Sequence, residues 1–137
     1  MEKGNRALYD SNILIAYLFK EKDRFETAKN ILKKHLSKAI SIISIHEIHM
    51  YSVKFNVEDK FTKIKNSLYN LFKVIPLNQD ICIKASHIRK THKLPAIDAL
   101  ILATAIQEKY THFYTFDKDF EKLNNKRIQE TTIHYLK

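Results

Sequence analysis

The chain is poor in the residues that punctuate or staple a fold. Among its 137 residues there is one cysteine (Cys82), one glycine (Gly4), two prolines (Pro76 and Pro95) and no tryptophan. A single cysteine excludes an intramolecular disulfide and a cysteine-based zinc cluster. The expectation for Cys82 is a small, buried apolar side chain rather than a catalytic thiol. A single glycine excludes a Walker-type phosphate loop and a Gly-x-Ser-x-Gly nucleophile elbow, and Ser11 has no evident His–Asp relay. Collagen-like segments, low-complexity segments and an interdomain linker are also excluded. Apolar runs are too short and interrupted to span a bilayer. The opening Met1–Arg6 lacks the apolar stretch of a secretory signal, so a cytoplasmic protein is expected.

What is present fits one domain over residues 1–137. Hydrophobic content of 45% and charged content of 28% are ordinary for a globular chain. A domain of this size buries roughly two-thirds of its unfolded surface and needs no staples. The charge balance is uneven: 24 Lys and Arg against 15 Asp and Glu, a formal +9. Such a balance favours polyanionic partners, nucleic acid above all. The lysines are dispersed without a basic tail, so a merely solvated surface explains the charge equally well.

Short apolar runs alternate with helical patterns. Strands are expected ending at Asp10, over Ala39–Ile43, over Lys73–Leu77 with Pro76 at a sheet margin, over His112–Phe116 and over Thr132–Leu136. Helices are expected from Ser11 or Asn12, from Asp23, from Ser44, from Asp59, from Asn78 or Asp80, and over Ala96–Lys109 after Pro95. No hairpin signal such as Asn-Gly appears. The pattern predicts an α/β fold: a three-layer α/β/α sandwich around a mostly parallel sheet of about four to five strands. Sites in such sheets form beyond the carboxyl ends of the strands, where Asp10, Glu47 and Asp117 fall.

Each acid has a capping explanation on its own. Asp10 can cap the helix at Ser11. Ser44-Ile45-His46-Glu47 fits a capping box. Asp98 suits a helix dipole, and Asp117 or Asp119 can cap a short helix. Asp98 weakens that reading. It lies between Leu94-Pro95-Ala96-Ile97 and Ala99-Leu100-Ile101-Leu102-Ala103, in a helix expected to be largely buried. No Lys or Arg occurs from Pro95 to Gln107. A buried carboxylate needs a cation, a metal or a strong donor. A metal shared with Asp10 meets that need, and oxygen-only ligands suit Mg²⁺ or Mn²⁺. A basic surface around an acidic, metal-binding pocket is the charge layout of a nuclease.

Four segments resemble the ordered motifs of the PIN domain, and within it the VapC-type ribonuclease toxins. They are Asp10-Ser11-Asn12-Ile13-Leu14-Ile15, Glu47 within Ser44–Ile48, Asp98-Ala99-Leu100-Ile101-Leu102-Ala103-Thr104-Ala105, and Thr115-Phe116-Asp117-Lys118-Asp119-Phe120. The resemblance runs from Ala7 to about Tyr135. It implies a Mg²⁺- or Mn²⁺-dependent endoribonuclease with Asp10, Glu47, Asp98 and Asp117 as the acidic quartet. Asp119 is a supporting candidate, and Ser11, Asn12 and Thr115 would shape the site. In-line displacement leaving a 5′ phosphate is implied, as are a homodimer and a small antitoxin whose tail blocks the site. A housekeeping PIN nuclease of RNA processing and a non-catalytic RNA- or protein-binding PIN module are the alternatives. A receiver-like phosphoacceptor domain would need an acid pair where Asp10-Ser11 stands.

Basic residues ahead of Asp98, among them Arg89, Lys90 and Lys93, are candidates for gripping RNA, and a solvated helix face explains them equally well. Tyr9, Tyr17, Phe19 and Tyr51 can stack on bases, although such spacings more often mark core. His46 and His49 flank Glu47 without a third partner, which favours surface or supporting roles over zinc.

Overall fold

The computed structural model describes residues 6–137. The absent signal-like run read over Met1–Arg6 therefore lies, up to Asn5, outside the described residues. Strands β1 (Arg6–Tyr9), β2 (Ser37–Ser41), β3 (Lys73–Ile75), β4 (His112–Thr115), β5 (Arg127–Ile128) and β6 (Thr131–Tyr135) form one sheet in the order β3-β2-β1-β4-β6-β5. All pairings are parallel except β5 with β6. The chain works outward from β1 through β2 to β3 on one side. It then returns to place β4 on the other side of β1. Strand order therefore reverses between β1 and β4, and a crevice opens at their carboxyl ends.

Helices cover both faces: α1 (Ser11–Leu18), α2 (Phe25–Lys34), α3 (Ile42–Lys54), α4 (Phe61–Leu71), α5 (Gln79–His92) and α6 (Ala96–Gln107). Alternation along the strands divides the core. Leu8, Ala39 and Phe113 pack with Ile81, Ala85, Ile101 and Leu102 of α5 and α6. Their strand neighbours Ala7, Tyr9, Ile40 and Tyr114 pack instead with Ile13, Leu14, Leu32, Ile48 and Leu68 of α1 to α4. Period-two strands between two helical layers produce this split. The α/β/α architecture is as expected. Among the described residues no helix is long and apolar enough to cross a membrane.

Several local expectations fail. Six strands form rather than four to five. β5 has only two residues, too few for a periodic signal, and it pairs with β6 through a turn in which Gln129 takes a φ of 53°. That tight hairpin contains no Asn-Gly. Asp23 does not cap α2; Arg24 holds the cap position with no side-chain bond. Asp59 lies inside a 3-10 turn, Glu58–Lys60, that leads into α4. Asn78, not Asp80, caps α5, its Oδ1 accepting the Ile81 N–H at 2.9 Å. Cys82 is exposed on α5, because its position faces away from the stripe of Ile81, Ala85 and Ile88.

Two further features carried no signal in the sequence pattern. The first is a polar array inside the α1–α2 layer. Buried His35 sits with Nε2 2.6 Å from the Tyr114 hydroxyl, and His112 Nδ1 lies 2.9 Å from His134 Nε2. Burial, then the positive neighbours, push His35 and His134 down to about 4. Both rings stay neutral in the fold where an unfolded histidine would charge. Their contribution is therefore complete above about pH 6.5 and is lost as pH falls towards 4. The second is left-handed backbone without glycine: Lys20, Asn56, Lys93, Lys109, Asn125 and Gln129 all have positive φ.

Lys109, at φ 60°, follows the end of α6 and is exposed. A Cβ in this conformation costs roughly 1–2 kcal/mol, partly offset by the extra unfolded-state freedom of glycine. Lys109→Gly should raise stability by about 0.5–1 kcal/mol, read as a higher denaturant midpoint at unchanged slope; a lower midpoint would contradict it.

Candidate metal centre

The register of β1 against β4 builds the site. Tyr9 lies opposite Tyr114, and the Asp10 N–H donates to the Tyr114 carbonyl at 3.0 Å. Both chains then leave the sheet at the same level, β1 into α1 and β4 into the 3-10 turn Lys118–Leu123. Asp10 is only 3% exposed. Its Oδ1 accepts the Ser11 N–H at 2.8 Å, and its Oδ2 accepts the Thr115 hydroxyl at 2.8 Å. Thr115 Oγ1 also accepts the Asp117 N–H at 2.9 Å. Asn12 ties the two exits together: its Oδ1 accepts the Phe116 N–H at 3.0 Å, while its amide nitrogen lies 3.4 Å from Asp10 Oδ2 and from Thr115 Oγ1.

Asp98 arrives from the other layer. Lys93 ends α5 in the left-handed region, Leu94 is buried, and Pro95 starts α6 without a side-chain cap. Ala96 and Ile97 are exposed, so α6 is buried only from Ala99 onward, and half-buried Asp98 stands at that boundary. Carboxylate oxygens of Asp10, Asp98 and Asp117 all lie within 4.8 Å of one another. Asp117 also caps the 3-10 turn, its Oδ1 accepting the Asp119 N–H at 2.9 Å. Asp119 is exposed and is not one of the three clustered carboxylates.

Glu47 has a different place from the one its capping box implies. α3 begins at Ile42, and Ser41 caps it by accepting the Ile43 N–H at 3.1 Å. Ser44 and Glu47 therefore lie inside the helix, and the box does not form. Glu47 faces the site all the same: Ser11 Oγ donates to Glu47 Oε1 at 2.6 Å and is 3.4 Å from Asp10 Oδ1. It touches the site through Ser11 and stands outside the cluster of three.

The remaining candidates are dispersed. Arg89, Lys90 and Lys93 are exposed along a concavity with Ser86 and Leu94, and the Lys93 carbonyl accepts Lys122 Nζ at 3.3 Å. Tyr9 is core, its hydroxyl on the Ile31 carbonyl. Tyr17 stacks on Phe25, and Tyr51 packs between Phe19 and Phe55. His49 packs edge-on against Phe61, and His46 is exposed.

Three carboxylates at this spacing cannot all ionise cheaply. Burial, then the Glu47 and Asp117 charges, push Asp10 up to about 7 against the hydrogen bonds from Thr115 and Ser11. Burial, then Asp117 and Asp10, push Asp98 up to about 8. Among the described residues no Lys or Arg pairs with them. The donors are oxygen alone, from three elements, and Asp98 and Asp117 are half-exposed. This set fits a hard divalent cation that keeps part of its water shell.

A PIN domain family model matches residues 7–126. The chain belongs to the PIN domain family. Within that family it is 25% identical over 140 residues to Ribonuclease VapC2 of Methanocaldococcus jannaschii, spanning 92% of this chain and 94% of the relative. Among solved PIN-like structures, a toxin-antitoxin complex from Klebsiella pneumoniae matches at 34% identity and a TM-score of 0.68, over 84% of this chain and 90% of that one. VapBC2 from Rickettsia felis, bound to a promoter DNA fragment, matches at a TM-score of 0.72 over 96% and 98%. Its 18% identity makes that likeness one of fold.

The raised carboxyls set a pH signature. A group whose folded pKa is raised favours the fold below the unfolded value, near 4, and that advantage is lost as pH rises through the folded value. Asp98→Asn copies the protonated form. Without divalent ions it should melt several degrees above the parent near pH 8, and the gap should narrow as pH falls and close only near pH 4. Equal melting at both pH values would contradict this electrostatic account.

Proposed function

We propose that this PIN domain is a Mg²⁺- or Mn²⁺-dependent endoribonuclease acting as the toxin of a toxin–antitoxin pair. The observation that carries the proposal is the convergence of Asp10, Asp98 and Asp117 oxygens within 4.8 Å at the strand-order reversal. The ribonuclease and toxin-antitoxin relatives support it, as does a surface of formal charge +9.

Asp10, Asp98 and Asp117 would hold the ion, with Glu47 as the fourth carboxylate. When bound, a divalent cation lowers the pKa of a water and polarises a phosphodiester. The chain's own residues do the rest. Thr115 and Asn12 keep Asp10 in one rotamer, so its outward lone pairs are fixed before substrate arrives. Ser11 donates to Glu47 and thereby aims it at the same opening. Arg89, Lys90 and Lys93 form a basic edge for the RNA backbone.

A partner of the antitoxin type has a suitable face. Two adjoining cavities between α1, α2 and α4 share Leu18 and Ser67. Lys29, Lys33 and Lys38 line one and Lys20, Lys60 and Lys63 the other, over a floor that includes Leu14, Leu68 and Phe72, with no acid in either lining. An amphipathic, acidic segment complements this groove. Assembly as a homodimer completes the proposal.

Purified protein should cleave single-stranded RNA with Mg²⁺ or Mn²⁺ and lose cleavage in EDTA. Asp10→Asn or Asp98→Asn should lower the rate by roughly 100-fold or more, as expected for loss of a metal ligand. Full activity in Asp98→Asn would sink the proposal. For the partner face, where a small protein encoded beside this chain inhibits RNA cleavage, Leu71→Glu at an exposed position should abolish that inhibition while leaving RNA cleavage intact. Undiminished inhibition would remove the groove from the account.

A further inference from the structure

Helical spacing puts Ile43, His46, Glu47, Met50 and Lys54 on one face of α3. That face, with Ile97 of α6 and Ser11 of α1, lines a cavity of about 380 Å³. Its inner end is Ser11 and Glu47, the pair joined at 2.6 Å beside Asp10. Its walls are apolar and open: Met50 is 56% exposed and Ile97 44%. Ile97 directly precedes Asp98 in the first turn of α6. Two basic side chains, exposed His46 and Lys54, stand on the rim, and Glu47 is the lone acid in the lining.

We infer that this cavity is a nucleobase subsite, taking the base next to the phosphate held at the carboxylates. The inference rests on the ribonuclease reading and adds to it where the substrate lies. Three observations select this occupant. The cavity adjoins the acidic cluster, since its lining residue Ser11 bonds Asp10 and its lining residue Ile97 directly precedes Asp98. A base offers flat apolar area to Met50 and Ile97, and a thioether beside an aromatic face is a favourable contact. His46 and Lys54 suit the flanking phosphates. Tyr51 also borders the cavity, but Phe19 and Phe55 hold its ring, so Met50 and Ile97 supply the stacking surface. The size falls within the range of small-ligand pockets.

The test uses the full chain carrying Asp98→Asn, so that RNA persists. Fluorescence anisotropy compares a short single-stranded RNA with the same oligonucleotide made abasic at successive positions. One abasic position should weaken binding by about tenfold, in the range of a lost stacking contact. Adding Met50→Ala and Ile97→Ala should weaken the intact RNA by a similar factor and erase the penalty of that abasic position. A thermal melt confirms that the exposed substitutions leave the fold in place. In the cleaving parent, the same two substitutions should raise KM with kcat nearly unchanged. Unchanged RNA affinity, or an abasic penalty that persists in the double variant, overturns the subsite. So does loss of antitoxin binding with RNA binding intact, which would assign the face to protein. Failure of the parent to cleave RNA strikes the ribonuclease reading instead, since the binding arm does not depend on turnover.

Discussion

Repulsion among Asp10, Asp98 and Asp117 is the constraint to which the fold around the site answers. Three carboxylates from three elements are held within 4.8 Å, and among the described residues no Lys or Arg pairs with them. Burial and mutual charge hold protons on Asp10 and Asp98 near neutrality. A stable hydrophobic frame must carry that cost. The parallel register of β1 and β4, the bonds from Thr115 and Asn12, and the α5–α6 packing together supply it. Such a cluster is unfavourable for folding and favourable for a cation, which is how site and scaffold come to oppose each other.

The surroundings follow from the same constraint. Acid is concentrated at the carboxyl edge of the sheet, while lysines line the α1–α4 groove and the α5 edge. Under the proposed function, the periphery would draw phosphate, and turnover would occur only where a cation reverses the sign of the centre. The cavity beside Ser11 and Glu47 is less polar than either region. In the proposed function, acidic centre, basic edges and apolar cavity would serve cation, backbone and base separately.

Much of this was legible in the residues. Alternating short apolar runs and helical stripes announced the sandwich, because a two-faced sheet imposes both periods at once. Asp98 was conspicuous as a carboxylate in an apolar helix with no cation nearby. Other features rested on contacts distant in sequence. Glu47 reads as a capping box until the structure shows Ser41 closing the helix three residues earlier. Ser11 reads as a helix start until its hydroxyl is seen to donate across 36 positions to Glu47. β5 was too short for periodicity, and left-handed lysines cannot be anticipated where glycine is so scarce. Exposed Cys82 shows that residue type is a weak guide when one turn of helix decides which way a side chain faces.

The central claim is that the carboxylate cluster exchanges protons for a divalent ion. Calorimetric titration of Mn²⁺, run in buffers of different protonation enthalpy, measures that exchange directly. Binding should release protons at neutral pH, the number released should fall as pH rises above about 8, and Asp98→Asn should both weaken binding and reduce the release. Binding without proton release, or binding that Asp98→Asn leaves unchanged, would contradict the account.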